Sequence, residues 1–180
     1  MKQIRICASV FAALGITACS AYGDVEPDAP PAPYTANADL RSAAGLAMGN
    51  ASATQIGSDI RVRIEGMNMP SGGHGAHVHM VGACAAPSFE SAGPHWNPTN
   101  ARHGKDNPAG MHKGDLANML IGADGRGTME YTIQNAWVAG NRNAMLDGDG
   151  AAIVIHTAPD DYRTDPSGNS GARIACGMFR

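Results

Sequence analysis

Polar and apolar residues alternate in several short runs along the chain. Asp59-Ile60-Arg61-Val62-Arg63-Ile64 keeps a period of two, and so does Met129-Glu130-Tyr131-Thr132-Ile133. That period predicts strands with one buried face. Ala76-His77-Val78-His79-Met80-Val81 is a further strand candidate, Ala151 to Ile155 is an apolar run of strand length, and Ala172 to Phe179 closes the chain in the same way. Turn-forming clusters separate these runs at Pro70 to Gly73, Gly122 to Gly127 and Asp147 to Gly150. No segment keeps a helical period with caps for three turns. The pattern predicts an all-β fold, an antiparallel sandwich or barrel. One stretch does not fit: Ala86 to Lys113 has no periodicity, contains Pro87, Pro94, Pro98 and Pro108, and carries three histidines. A loop of that length in a compact domain is usually functional or wrongly assigned, and its three histidines favour function.

The N-terminal segment follows other rules. Lys2 and Arg5 precede an apolar run from Ile6 to Ala18, the pattern of a secretory signal. The run is shorter than the ~20 apolar residues a membrane-spanning helix needs. It ends in Ile16-Thr17-Ala18-Cys19, which resembles a bacterial lipobox with Cys19 as the lipidated new N-terminus. Ordinary cleavage nearby, for example after Ala21, is the alternative. Pro27, Pro30, Pro31 and Pro33 then mark an extended tether. The expected organisation is a signal peptide over 1–18, a lipidated tether over 19–35 and one folded domain over 36–180. The expected location is the bacterial periplasm or cell envelope, with membrane contact only through the lipid.

Composition narrows the classes further. A hydrophobic share of 43% excludes full disorder, and 16% charged residues with 23 glycines exclude a long coiled coil. A net charge of −3 argues against nucleic acid as a partner. Loss of residues 1–18 takes the basic count from 13 to 11 against 16 acids, a net −5. Of the four cysteines, Cys7 leaves with the signal and Cys19 is the lipid site. Cys84 and Cys176 remain. In an oxidising compartment a single remaining pair is most simply a disulfide. Closing so long a loop is worth on the order of 4–5 kcal/mol in the loop-entropy account. A thiolate metal site is the weaker reading.

The histidines carry the chemistry. His77 and His79 are two apart, so on a strand they share one face. Two imidazoles side by side chelate, and imidazole suits copper and zinc. His95, His103, His112 and Asp115 lie in or just past the long loop. Three imidazoles and a carboxylate can close a tetrahedron around Zn²⁺ and order a loop that has no structure of its own. His156 ends a strand-like run far along the chain.

These residues resemble those of the copper,zinc superoxide dismutases. The likeness is carried by Gly73-His74-Gly75-Ala76-His77-Val78-His79, Gly82-Ala83-Cys84, Gly93-Pro94-His95-Trp96-Asn97-Pro98, His103 and His112-Lys113-Gly114-Asp115. It continues through Val154-Ile155-His156, Asp160 and Gly168-Asn169-Ser170-Gly171-Ala172-Arg173-Ile174-Ala175-Cys176-Gly177. The resemblance implies a Greek-key barrel or sandwich of about eight strands with long metal-binding loops. It implies copper on His77, His79, His95 and His156, and zinc on His95, His103, His112 and Asp115, so that His95 bridges the two metals. Asp160 would hold His77 and His103 in orientation. Arg173 would attract superoxide, with Lys105 and Lys113 as lesser candidates. Cys84–Cys176 would be the family's disulfide, and His74 a structural histidine. Ala76, Trp96 and the pair Met178-Phe179 depart from the usual residues without touching a ligand position. The implied activity is superoxide dismutation by cycling Cu²⁺/Cu⁺. A copper or zinc carrier on the same fold, without that activity, is the competing reading. A homodimer stays open.

Overall fold

A computed structural model describes residues 34–140 and 144–180 of the 180-residue chain. The proposed signal, Cys19 and all of the tether before Tyr34 lie outside them. Among the described residues there are nine strands: β1 (Thr35–Arg41), β2 (Ala47–Ile56), β3 (Asp59–Gly66), β4 (Gly72–His74), β5 (Ala76–His79), β6 (Met119–Ile121), β7 (Gly127–Ile133), β8 (Ala152–His156) and β9 (Arg173–Met178). One 3-10 turn, Glu90–Ala92, is the only helical piece among them. Seven strands form one antiparallel sheet in the order β5-β8-β9-β1-β2-β3-β7, and β4 pairs with β6 in a second. The sheet curls into a half-barrel around its core, as the all-β expectation required.

Period-two burial builds that core. Ile60, Val62 and Ile64 of β3 are fully buried while Arg61, Arg63 and Glu65 face outward. Ala36, Ala38 and Leu40 of β1 and Ala51 and Ala53 of β2 do the same beside them. The alternation therefore located β3 and β7. It missed β1 and β2, whose inward positions are mostly alanine and carry little apolar signal. It also missed β4 and β6, three residues each, and placed a turn at Gly72 and Gly73 where β4 begins. Trp96 and Phe179 pack in the main core, and so does Ala76, so the departures from the family pattern fill space with other volumes.

Candidate metal centre

The sheet's outer face at the β5–β8 end carries the site. On β5, Ala76 and Val78 point into the main core, so His77 and His79 point the other way. On β8, Ile153 and Ile155 face the core while Ala152 and Val154 join a small outer cluster with Phe89, Ala92 and Cys176. His156 continues that outer face. A bulge follows: Ile155 pairs with Ala175 but His156 pairs with Arg173, so Ile174 is the extra residue. The bulge reverses which β9 residues face outward. It thereby sets Arg173 beside His156.

The first cluster is His77, His79, His95 and His156, all buried, with ligand atoms within 4.8 Å of one another. Each strand histidine has one ring nitrogen fixed from outside. His79 Nδ1–H donates to the Gly93 carbonyl at 2.7 Å, and His156 Nδ1–H donates to the Gly171 carbonyl at 3.0 Å. His77 Nε2–H donates to Asp160 Oδ2 at 2.8 Å. Carbonyl and carboxylate oxygens only accept, so the opposite nitrogens carry lone pairs. Those are His77 Nδ1, His79 Nε2 and His156 Nε2, each buried without a hydrogen-bond partner. Buried polar atoms without partners are costly and rare.

The second cluster is His95, His103, His112 and Asp115, also buried. Asp115 Oδ1 lies 2.8 Å from His95 Nδ1, and 3.1 Å from both His103 Nδ1 and His112 Nδ1. Ligand atoms 2.0–2.1 Å from a tetrahedral zinc ion lie roughly 3.3 Å apart. The observed edges are a few tenths shorter. Asp115 Oδ2 accepts instead from the backbone N–H groups of Gly104 and His112, which fixes the carboxylate. His103 Nε2–H donates to Asp160 Oδ1 at 3.0 Å and leaves Nδ1 facing Asp115. Asp160 thus reaches one histidine of each cluster. Gly168, at φ 62°, passes so close to the Asp160 carboxylate and the His103 ring that any Cβ there would collide with both.

His95 belongs to both clusters. Its ring stacks on His77 with centroids 4.0 Å apart. With Nδ1 on the Asp115 side, Nε2 is left for the strand histidines. Burial dominates the strand set: it lowers His77 to about 3, His79 to about 2 and His156 to about 4. Burial lowers His95 as well. His103 is opposite in sign. Burial opposes its charge, yet Asp115 and Asp160 raise it to about 9. Both carboxylates are held below the usual range despite their burial, by the histidines they face.

Arg173 is half-buried. Its guanidinium donates to the carbonyls of Phe89 at 2.6 Å and Gly93 at 2.9 Å, which flank the 3-10 turn. Gly93 O therefore holds both His79 and Arg173. The positive charge of Arg173 acts on His79 and His156. The lesser candidates are occupied elsewhere: Lys113 Nζ donates to the Gln134 carbonyl and Lys105 lies 4.3 Å over the Tyr162 ring. The disulfide Cys84–Cys176 joins the loop before the 3-10 turn to β9, with Cα atoms 5.7 Å apart. His74 has both ring nitrogens against carbonyl oxygens, of His156 and Pro70, and faces no cluster.

Converging lone-pair nitrogens in the strand set, and three ring nitrogens gathered on one carboxylate oxygen in the second, are the geometry metal ligands take. Four imidazoles suit copper, and three imidazoles with a carboxylate suit zinc. The residues present fit both. Sequence reasoning brought together every ligand candidate that converges here. It missed Asn118 and Tyr162, which bracket Asp160, because neither residue type signals a metal site.

Residues 47–179 match the family model described as copper/zinc superoxide dismutase. A copper,zinc superoxide dismutase of Aquifex aeolicus is 38% identical over 148 residues, 80% of this chain and 86% of that protein. A superoxide dismutase-like protein of Bacillus subtilis is 44% identical over 124 residues, covering 68% of this chain and 63% of that protein. The crystal structure of a superoxide dismutase-like protein from the same organism superposes with a TM-score of 0.75 at 38% identity, covering 79% of this chain and 96% of that one. By sequence and by fold, the chain belongs to the copper/zinc superoxide dismutase family.

Proposed function

We propose that this protein is a superoxide dismutase of the cell envelope, with copper held by His77, His79, His95 and His156 and zinc by His95, His103, His112 and Asp115. The observation that carries the reading is the set of buried lone-pair nitrogens, each opposite a ring N–H that is already fixed. A carrier of zinc alone would have no use for the strand histidines. Bound copper supplies one-electron chemistry through two accessible oxidation states, and zinc supplies charge and geometry.

The chain's own residues do the rest. Arg173, tied to two loop carbonyls, presents a fixed positive charge to an anion entering beside His79 and His156. Such local charge raises the on-rate of an anion even on an acidic protein. His95 serves both clusters, so Nε2 is the atom that would take and give up a proton as the product leaves. Asp160 holds the His77 and His103 rings to their tautomers. Cys84–Cys176 fixes the segment whose Phe89 and Gly93 carbonyls grip Arg173. Lipidation at Cys19, in a lipoprotein signal ending at Ala18, would place the domain on an envelope membrane.

One experiment decides between this reading and a carrier, a reading kept open by the Bacillus relative described only as dismutase-like. Metal content and superoxide consumption are measured on the same sample of the domain reconstituted with both ions, beside a His156→Ala control. One copper and one zinc per chain, with activity lost in the control, supports the enzyme. Full occupancy without activity supports the carrier.

A further inference from the structure

Asp160, outside both sets of four, hydrogen-bonds one histidine of each, and its own supports come from Asn118 and Tyr162. Asn118 clamps its backbone: Asp160 N–H donates to Asn118 Oδ1 at 2.8 Å, and Asn118 Nδ2–H donates to the Asp160 carbonyl at 2.9 Å. Tyr162 then closes the arrangement twice. Its backbone N–H donates to Asp160 Oδ1 at 2.6 Å, the oxygen that also faces His103. Its phenol oxygen accepts the Asn118 backbone N–H at 2.8 Å.

Tyr162 is held in an unusual conformation to do this. Its φ is 63°, in the left-handed region that bulky side chains avoid. The surroundings impose it. The Tyr162 carbonyl accepts from Asp106 N–H at 3.1 Å. Gly104 approaches the same carbonyl where any side chain would collide. Lys105 lies over the ring. Three residues of the loop carrying His103 therefore grip Tyr162 from one side, and Asn118 grips it from the other. A strained residue held by that many contacts points to a role in the site beside it.

We propose that Tyr162 is a positioning residue. Through its phenol oxygen on Asn118 and its N–H on Asp160, it fixes the carboxylate between His77 and His103 and so couples the two halves of the centre. The proposal rests on the metal reading only for what is coupled. The hydrogen bonds themselves are features of the chain.

The test is the exchange of ring N–H protons in the full chain loaded with zinc and copper(I), a diamagnetic state suited to proton resonance. The His77 and His103 Nε2–H protons report on Asp160. The His79 and His156 Nδ1–H protons, held by Gly93 and Gly171, are internal controls. Tyr162→Phe keeps the ring and its stacking under Lys105 and removes only the phenol oxygen. We expect the His77 and His103 protons to exchange about fivefold to tenfold faster, the effect of one lost hydrogen bond, with the two controls unchanged. Lys105→Met, which removes the stacked cation alone, should leave all four unchanged. Equal acceleration of all four in Tyr162→Phe, or no acceleration, would overturn the proposal. Metal content of the unmodified protein is read on the same sample. If it takes no metal, the metal reading fails by itself, and the four protons are compared in the metal-free protein, where the same partners face Asp160.

Discussion

His77, His79 and His156 stand on strands, whereas His103, His112 and Asp115 stand on a segment with no strand of its own. The strand histidines are placed by β-pairing: His77 lies opposite Val154 and His79 opposite Ala152. Their positions would survive without any metal. The loop ligands converge on Asp115 through contacts of 2.8–3.1 Å, and irregular backbone hydrogen bonds such as Asp106 N–H to the Tyr162 carbonyl and Val78 N–H to the Gly114 carbonyl hold their segment. The electrostatics differ in the same way. Burial keeps the strand set neutral, while two carboxylates charge His103. One half is a rigid, neutral socket in the fold; the other is a staple that the fold needs.

The largest effects should separate the two halves. His156→Ala should bring superoxide consumption to background while the protein stays folded and holds zinc, because β8 does not depend on that side chain. His112→Ala should act on stability instead. A loss of about 3 kcal/mol of loop ordering would lower Tm by roughly 6–12 °C in a domain of this size. Calorimetry of the two loaded variants checks the contrast. Equal losses of Tm would mean that the strand half also depends on its metal for order.

Asp160→Asn tests the link between the halves. A carboxylate accepts from His77 and His103 at once, but an amide presents N–H groups to one of them. Both metals should bind roughly 10–100-fold more weakly, the usual cost of losing an orienting partner. Competition with a chelator reads each affinity. Weakening of zinc alone would show that His77 is held by its strand rather than by Asp160.

The two halves also differed in how far the sequence disclosed them. The spacing of His77 and His79 gave a shared face because strand geometry is local and has period two. The loop could be read only as a ligand set with no local structure, since its conformation depends on contacts between residues distant in sequence. β3 and the apolar run of β8 were legible because Ile and Val mark their inward faces, and β7 because Met129, Tyr131 and Ile133 alternate with polar residues. β1 and β2 were not, because Ala36, Ala38, Ala51 and Ala53 mark theirs weakly. The bulge at Ile174 has no sequence signature, yet it decides that Arg173 stands beside His156. The Asn118–Tyr162 bracket stayed hidden because its side chains meet backbone groups far away in sequence, and a left-handed φ at a tyrosine has no residue-type signal.

Arg173→Gln should have a smaller effect than any ligand change. Metal content should stay full, because Arg173 touches the carbonyls of Phe89 and Gly93 and no ligand nitrogen. kcat/KM should fall about tenfold at low salt, and its decrease with ionic strength should flatten. Stopped-flow decay of superoxide at several salt concentrations measures both. An unchanged salt dependence would move the steering charge to another residue.

The smallest effect is a count of protons, and it separates the halves most directly. In the metal-free protein His103 titrates near 9, so at pH 7.5 it is charged and must lose about one proton for Nδ1 to bind zinc. His77, His79 and His156, lowered to about 3, 2 and 4, are already neutral, so copper alone should release none. The ion added second should release about one more proton if His95 bridges, because a neutral imidazole has a single lone pair. Zinc affinity should therefore rise with pH up to about 9 and then level off, while copper affinity stays flat down to about pH 4. The stability of the metal-free domain has the matching signs. The raised His103 stabilises fully below its unfolded value near 6.5, and that contribution is lost as pH rises through 9. The lowered strand histidines destabilise progressively as pH falls below 6.5. Titration calorimetry in buffers of different ionisation enthalpy counts the protons. One released with zinc first and one more with copper second supports the bridge and the charged loop half together; none with zinc would mean that His103 is neutral and the halves are electrostatically alike.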